Sequence, residues 1–302
     1  MPAPPEQASP PSVAALPGRG PVALVGSGEY LDVMVEVDRA LLAGRPARAV
    51  ILPTAAAEEG EESVRRWLDL GSRHFERLGV EPVPLPVLTR EDAARPDFAE
   101  LVAGAGLVYL SGGNPGYLAS VLRDSAVWSA IVAAWQGGAA LAGCSAGACA
   151  LTYVAEDVRA MRAAADAGAP RSASASRAAS AVGAGPEPTG LAAIAEVAVI
   201  PHFDRMARWA PDIADRFASR VPEDVTVVGV DEDTAIVTTD AAGGNDGAGG
   251  GRHFTVAGRQ SAWVLDRDGH RTGYPAGSGF SVPSAEGCAD RHTRASDEPA
   301  GR

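Results

Sequence analysis

The apolar run Ala139-Ala140-Leu141-Ala142 passes directly into Gly143-Cys144-Ser145-Ala146-Gly147-Ala148. A buried strand that ends on G-x-S-x-G and continues into small residues reads as strand, sharp turn and helix, the arrangement called a nucleophile elbow. The flanking glycines leave room for a strained backbone that holds the serine oxygen at the end of a sheet. The free N–H groups that open the following helix favour a developing negative charge there. Such a unit needs a sheet around the strand and helices over its faces.

The rest of the chain supplies them. Val22-Ala23-Leu24-Val25 ends in Gly26-Ser27-Gly28-Glu29 and leads into a helix that stops near Gly44. A second strand, Ala47 to Leu52, stops at Pro53-Thr54. The helix after it carries Val64, Trp67, Leu68, Phe75 and Leu78 on one stripe, at helical spacing. A third strand is expected around Val80 to Leu88. A fourth, Gly106 to Leu110, runs into Ser111-Gly112-Gly113-Asn114-Pro115, and one or two helices follow from Gly116 to Trp135.

This alternation predicts an α/β fold, a mostly parallel sheet with helices on both faces. Ligands bind such sheets beyond the carboxyl ends of the strands, so the Gly112-Gly113 turn and the elbow are expected to line one crevice. Further on, Val197 to Ile200 is a strand ending at Pro201-His202-Phe203, and a helix with Trp209, Ile213 and Phe217 follows. Val225 to Val230 is a strand that leads into Asp231-Glu232-Asp233-Thr234-Ala235, and hairpin signals such as Asp266-Arg267-Asp268-Gly269 finish the fold.

Two segments, 159–190 and 241–251, have a composition that offers little to pack and read as solvated insertions in one domain over 20–283. A lid is the alternative for the first, which falls between the serine and its expected base. Residues 1–19 and 284–302 are expected to be disordered.

Composition narrows the function. The 302 residues are 46% hydrophobic and 21% charged, ordinary for a chain that buries a sizeable core. A net charge of −12 argues against a nucleic-acid surface or an anionic membrane. The sequence contains no lysine, which excludes a Schiff-base lysine, a P-loop lysine and a Ser-Lys dyad, and fits a high-GC bacterial genome. Cys144, Cys149 and Cys288 form neither a disulfide framework nor a zinc spacing. With no signal peptide and no long apolar run, a cytoplasmic location is expected. No metal and no cofactor are expected. Gly26-Ser27-Gly28 follows its strand like a dinucleotide turn, but Glu29-Tyr30-Leu31 lacks the third glycine.

A serine hydroxyl needs a base, and the base an orienting acid. Of five histidines, His292 lies in the tail, His270 follows a turn, and His253 borders the glycine-rich segment. His74 sits in a helix off its apolar stripe. His202 alone stands at a strand end, the level of the elbow. Glu232, at another strand end, and Asp204, two residues after His202, are both candidates for the acid. Ala146 supplies one oxyanion N–H by elbow geometry, and Gly112 or Gly113 a second, since glycine lets backbone approach a substrate closely.

Assembled in this order, Leu110-Ser111-Gly112-Gly113-Asn114, the elbow, Val199-Ile200-Pro201-His202-Phe203 and Gly229-Val230-Asp231-Glu232-Asp233-Thr234-Ala235 resemble the cyanophycinase and aspartyl dipeptidase (dipeptidase E) family of serine peptidases. The resemblance runs from about Pro21 to Val282, outside the two insertions. It implies a class I glutamine amidotransferase-like (flavodoxin-like) fold, with Ser145 as nucleophile, His202 as base and Glu232 as third member. It also implies oxyanion donors from the Gly-Gly-Asn turn. The chain departs from cyanophycinases at Pro115, at Ile200-Pro201 and in a shortened arginine set, Arg205 and Arg208, which argues against cyanophycin as substrate.

The leading expectation is a serine hydrolase of small peptides or amides. Asn114, Arg205 and Arg208 are its candidate substrate contacts, the arginines through a substrate carboxylate or else as plain surface residues. Two other readings are a glutamine amidotransferase-like thiol enzyme using Cys144 and a non-catalytic binding member of the fold. The expected partners are the small substrate and, at most, a second copy in a homodimer, with no nucleic acid and no membrane.

Overall fold

The structure, a computed structural model, describes residues 19–156, 187–209, 217, 221–238 and 251–283. The expected insertions and disordered termini therefore fall almost wholly outside the described residues, as does most of the helix expected to carry Ile213.

Five strands form the parallel body of an eight-stranded sheet. They are β1 (Val22–Val25), β2 (Arg48–Leu52), β3 (Glu81–Pro84), β4 (Leu107–Leu110) and β5 (Ala140–Cys144), in the spatial order β1-β5-β4-β2-β3. Val25 registers with Cys144 and Leu110 with Gly143, so the carboxyl ends of three strands meet at the elbow. Beside β1 the sheet continues antiparallel through β8 (Thr234–Thr238), β9 (Gly251–Gly258) and β12 (Gly279–Pro283).

Alternate side chains of each parallel strand feed two cores. Ala23, Val25, Ala49, Ile51, Tyr109 and Ala142 face α1 (Val35–Leu42) and α2 (Glu61–Arg77). Val22, Leu24, Val50, Leu52, Val108 and Leu141 lie in the core shared with α5 (Pro115–Leu122) and α6 (Ala126–Gln136). Burial on both faces is why these strands read as unbroken apolar runs.

The later strands bring a feature the alternation did not reveal. β6 (Val197–Ile200) and β7 (Thr226–Val230) pair in parallel with each other in a separate four-stranded sheet, completed by β10 (Ser261–Leu265) and β11 (Arg271–Pro275). Val197, Val199, Val228 and Val230 pack into the second core, while Ala198, Ile200 and Val227 join Phe203, Met206 and Phe217 on the opposite face.

Three local expectations change. The third strand is only Glu81–Pro84, because Pro82, Pro84 and Pro86 withhold backbone donors and suit only a short edge strand. Two short helices, α3 (Arg90–Ala93) and α4 (Pro96–Glu100), follow it, the first opened by a Thr89–Asp92 capping box. His74, off the apolar stripe of its helix by spacing, is nonetheless buried. It is 1% exposed and its Nε2 lies 2.7 Å from the buried Asp38 Oδ2.

Candidate active site

Ser145 joins β5 to α7 (Ala146–Leu151) at φ 50° and ψ −108°, a backbone that a non-glycine residue adopts only under constraint. The constraint is close packing. A Cβ on Gly143 would lie 2.4 Å from the Gly147 carbonyl carbon, and one on Gly147 would lie 2.2 Å from the Leu110 oxygen. Ser145 N–H donates to Val25 O at 2.9 Å, which ties the turn to the neighbouring strand.

His202 also has φ 50°, between β6 and the helix α8 (Phe203–Trp209). The next residue sets its place. The Phe203 ring packs against Gly229 of β7, where a Cβ would fall 2.4 Å from the ring. The Arg205 and Met206 N–H groups donate back to the His202 carbonyl.

Ser145 Oγ lies 2.9 Å from His202 Nε2, and His202 Nδ1 lies 2.9 Å from Glu232 Oε1. An ionised carboxylate only accepts, so Nδ1 carries the proton. In the neutral imidazole Nε2 is then the acceptor, and the serine hydroxyl donates to it. All three residues are partly exposed, as a site open to a ligand requires.

Glu232 occupies the turn between β7 and β8, and every part of it is held. Its N–H donates to Asp204 Oδ1 at 3.0 Å, and its carbonyl accepts from Gln260 Nε2 at 2.9 Å. Its second carboxylate oxygen pairs with Arg205 at 2.7 Å. Of the two candidate acids, then, Glu232 meets the imidazole and Asp204 carries the Glu232 backbone. The neighbouring acids have separate partners. Asp231 accepts from Trp263 Nε1 at 3.0 Å and from the Ser261 N–H, and burial pushes its carboxyl above the usual range. Asp233 pairs with Arg259.

The glycine turn lies against the elbow, for a Cβ on Gly112 would fall 3.6 Å from Ser145 Cβ. The two glycines differ, however. Gly112 N–H is donated to Glu29 Oε1 at 3.1 Å, so it is not free to meet an oxyanion. Gly113, at φ 140°, has no acceptor for its N–H among the described residues. Ala146 is the first residue of α7, and its N–H has no intrahelical acceptor.

The expected substrate contacts fall out unevenly. Asn114 caps α5, accepting from Tyr117 N–H at 3.1 Å, and its Nδ2 donates to Glu58 at 2.7 Å, so both ends are occupied within the fold. Arg205 is half exposed although it pairs with Glu232. Arg208 is exposed. Cys144 points away from solvent: its thiol is fully buried and donates to Glu29 Oε2 at 2.8 Å. Burial, reinforced by the Glu29 carboxylate, pushes it well above the usual thiol range, so it is not a thiolate.

Glu29, Gln260 and the bracing role of Asp204 were missed from sequence. Gly26-Ser27-Gly28-Glu29 was visible, but as a dinucleotide-like turn. Among the described residues the one cluster with metal-ligating spacing is Asp266, Asp268 and His270, all exposed in the β10–β11 hairpin. There Asp266 accepts the Asp268 and His270 N–H groups, which is the hairpin's own bonding. No helix among the described residues is long and apolar enough to cross a membrane.

The sequence model of peptidase family S51 matches residues 22–243. A solved peptidase from an acI-B1 Actinobacterium is 34% identical over 88% of this chain and 98% of its own, with a TM-score of 0.70. A putative peptidase E protein from Listeria monocytogenes EGD-e is 16% identical over 72% of this chain and 94% of its own, at a TM-score of 0.48. No curated protein matches. The match over more than two thirds of the residues, together with the Actinobacterium structure, means that this chain belongs to peptidase family S51.

Proposed function

We propose that the protein is a serine peptidase that cleaves small peptides or amides through Ser145, His202 and Glu232. The observation that carries this reading is the continuous chain of two 2.9 Å hydrogen bonds from Ser145 Oγ through the imidazole to Glu232. His202 Nε2 takes the hydroxyl proton as Oγ attacks the carbonyl carbon. The carbonyl oxygen becomes an oxyanion held by the N–H groups of Gly113 and Ala146. Collapse of the intermediate breaks the C–N bond, and His202 returns the proton to the leaving amine. Water, deprotonated by the same imidazole, then releases the acid and restores Ser145. Glu232 stabilises the imidazolium throughout, and Arg205 and Asp204 hold Glu232 in place.

The buried, un-ionised Cys144 gives no support to a thiol mechanism. For the substrate, the sequence departures at Pro115 and Ile200-Pro201 disfavour cyanophycin. Turnover of a dipeptide library that includes N-terminal aspartyl and isoaspartyl peptides tests the reading. Cleavage abolished by Ser145→Ala is expected, and turnover that survives this substitution would overturn it.

A further inference from the structure

The loop Gly26-Ser27-Gly28-Glu29 has no role in the reaction described above, yet it touches the turn that bears Glu232, the glycine turn and the elbow strand. Its glycines let it press on the turn that bears Glu232. A Cβ on Gly26 would lie 2.1 Å from the Asp231 oxygen, and one on Gly28 (φ 89°) would lie 2.7 Å from Asp233 Oδ1. Glu29 then reaches inward, 8% exposed, and uses both carboxylate oxygens. One accepts the Gly112 N–H, next to Gly113; the other accepts the thiol of Cys144, next to Ser145.

The glycine turn needs such an anchor. Two consecutive glycines have more backbone states than any other pair of residues, so the direction of the Gly113 N–H has to be imposed from outside. Ser111 N–H is fixed by Leu52 O at 3.0 Å, Gly112 N–H by Glu29, and Asn114 N–H by Ala55 O at 2.7 Å. Gly113 N–H alone in this run has no acceptor among the described residues. Tyr30, the next residue of the same loop, adds a 2.9 Å hydrogen bond to the Ser111 hydroxyl.

We propose that Glu29 is a positioning residue for the oxyanion site: it clamps the Gly112-Gly113 turn to the nucleophile strand and so aims the Gly113 N–H at the carbonyl oxygen. The proposal rests on Ser145 being the nucleophile. It assigns Glu29 no proton transfer and no contact with substrate.

The test is the rate of Ser145 phosphonylation by a fluorophosphonate, which needs the same oxyanion donors. Measured against probe concentration, Glu29→Ala is expected to lower the maximal rate about 10- to 100-fold. The half-saturating concentration and the midpoint of the pH–rate profile should stay as in the wild type, because His202 and Glu232 are untouched. Glu29→Gln, whose amide oxygen still accepts the Gly112 N–H, should label within about threefold of the wild-type rate. Should the alanine variant fail to fold, Glu29→Asp, too short to reach both partners, is expected to show the same loss in maximal rate.

Wild-type rates in the alanine and aspartate variants, or a folded Glu29→Gln as slow as alanine, would overturn the proposal and leave the Ser145 reading intact. A wild-type protein that takes up no label at Ser145 would overturn both.

Discussion

Ser145 and His202 share a backbone conformation as well as a hydrogen bond: both sit at φ 50°, and Oγ and Nε2 meet at 2.9 Å. Each ends a strand, one in each sheet, so two strained turns converge on a single contact. Strain of this kind persists only where the surroundings over-determine it. Here the elbow glycines and the seat of Phe203 on Gly229 do so.

The strain at Ser145 is measurable. Ser145→Gly and Ser145→Ala both lose the hydroxyl, but only glycine is at ease at positive φ. Relief of about 1–3 kcal/mol, less the extra entropy of glycine in the unfolded chain, leaves the glycine variant about 1 kcal/mol more stable than the alanine variant. Urea denaturation of the two proteins checks the sign.

The two acids separate by substitution. Glu232→Gln removes the charge that stabilises the imidazolium and should lower kcat by about 10²-fold or more. Asp204→Asn keeps an oxygen for the Glu232 N–H and should cost less than about tenfold. Steady-state kinetics on any substrate found by library turnover distinguishes them, and a larger loss in Asp204→Asn would reassign the acid.

Gly229→Ala tests the seat of His202. The new Cβ would collide with the Phe203 ring at 2.4 Å, and no flexible side-chain end is there to yield. Overpacking of this kind costs about 1–3 kcal/mol. Because Phe203 adjoins His202, activity should fall by more than the folded fraction does. Circular dichroism melts measured beside activity check both effects.

Cys144→Ser keeps a donor for Glu29 Oε2 and so should keep most of the activity, within about fivefold, whereas a cysteine nucleophile would not survive the change. Ser145→Ala should lose activity altogether. Assaying the two variants in parallel settles which of the adjacent residues performs the attack.

Asp38 gives a pH prediction. Burial raises its folded carboxyl above the unfolded value, partly offset by the His74 hydrogen bond. The native state therefore binds more protons than the unfolded state, from about pH 4, where the unfolded carboxyl titrates, up to the raised folded value. Over that window the Asp38 contribution to stability falls as pH rises. Asp38→Asn lacks this slope, so its stability relative to wild type should increase with pH from about pH 4. Urea midpoints across that range measure it.

The parallel body and the elbow were legible because both leave local marks. Strands buried on two faces appear as unbroken apolar runs, and the elbow needs glycines at fixed offsets from Ser145. His202 stood out because it alone of the histidines ends an apolar strand, whereas spacing left the acid open between Glu232 and Asp204. The second sheet was not legible, since Val197–Ile200 and Thr226–Val230 look the same whichever sheet they join. Glu29 was hidden for a related reason. Its partners, Gly112 and Cys144, lie 83 and 115 residues away, and one is a backbone N–H that any sequence would offer. The burial of His74 also depended on a distant residue, Asp38, that answers its polarity inside the core.

The central claim is that Ser145 is the nucleophile activated by His202. Fluorophosphonate labelling followed by peptide mass mapping tests it most directly. One phosphonyl adduct on the peptide containing Ser145 is expected, lost in Ser145→Ala and slowed at least 10²-fold in His202→Ala. An adduct that persists in Ser145→Ala, or a wild-type protein that takes up no label, would contradict the account.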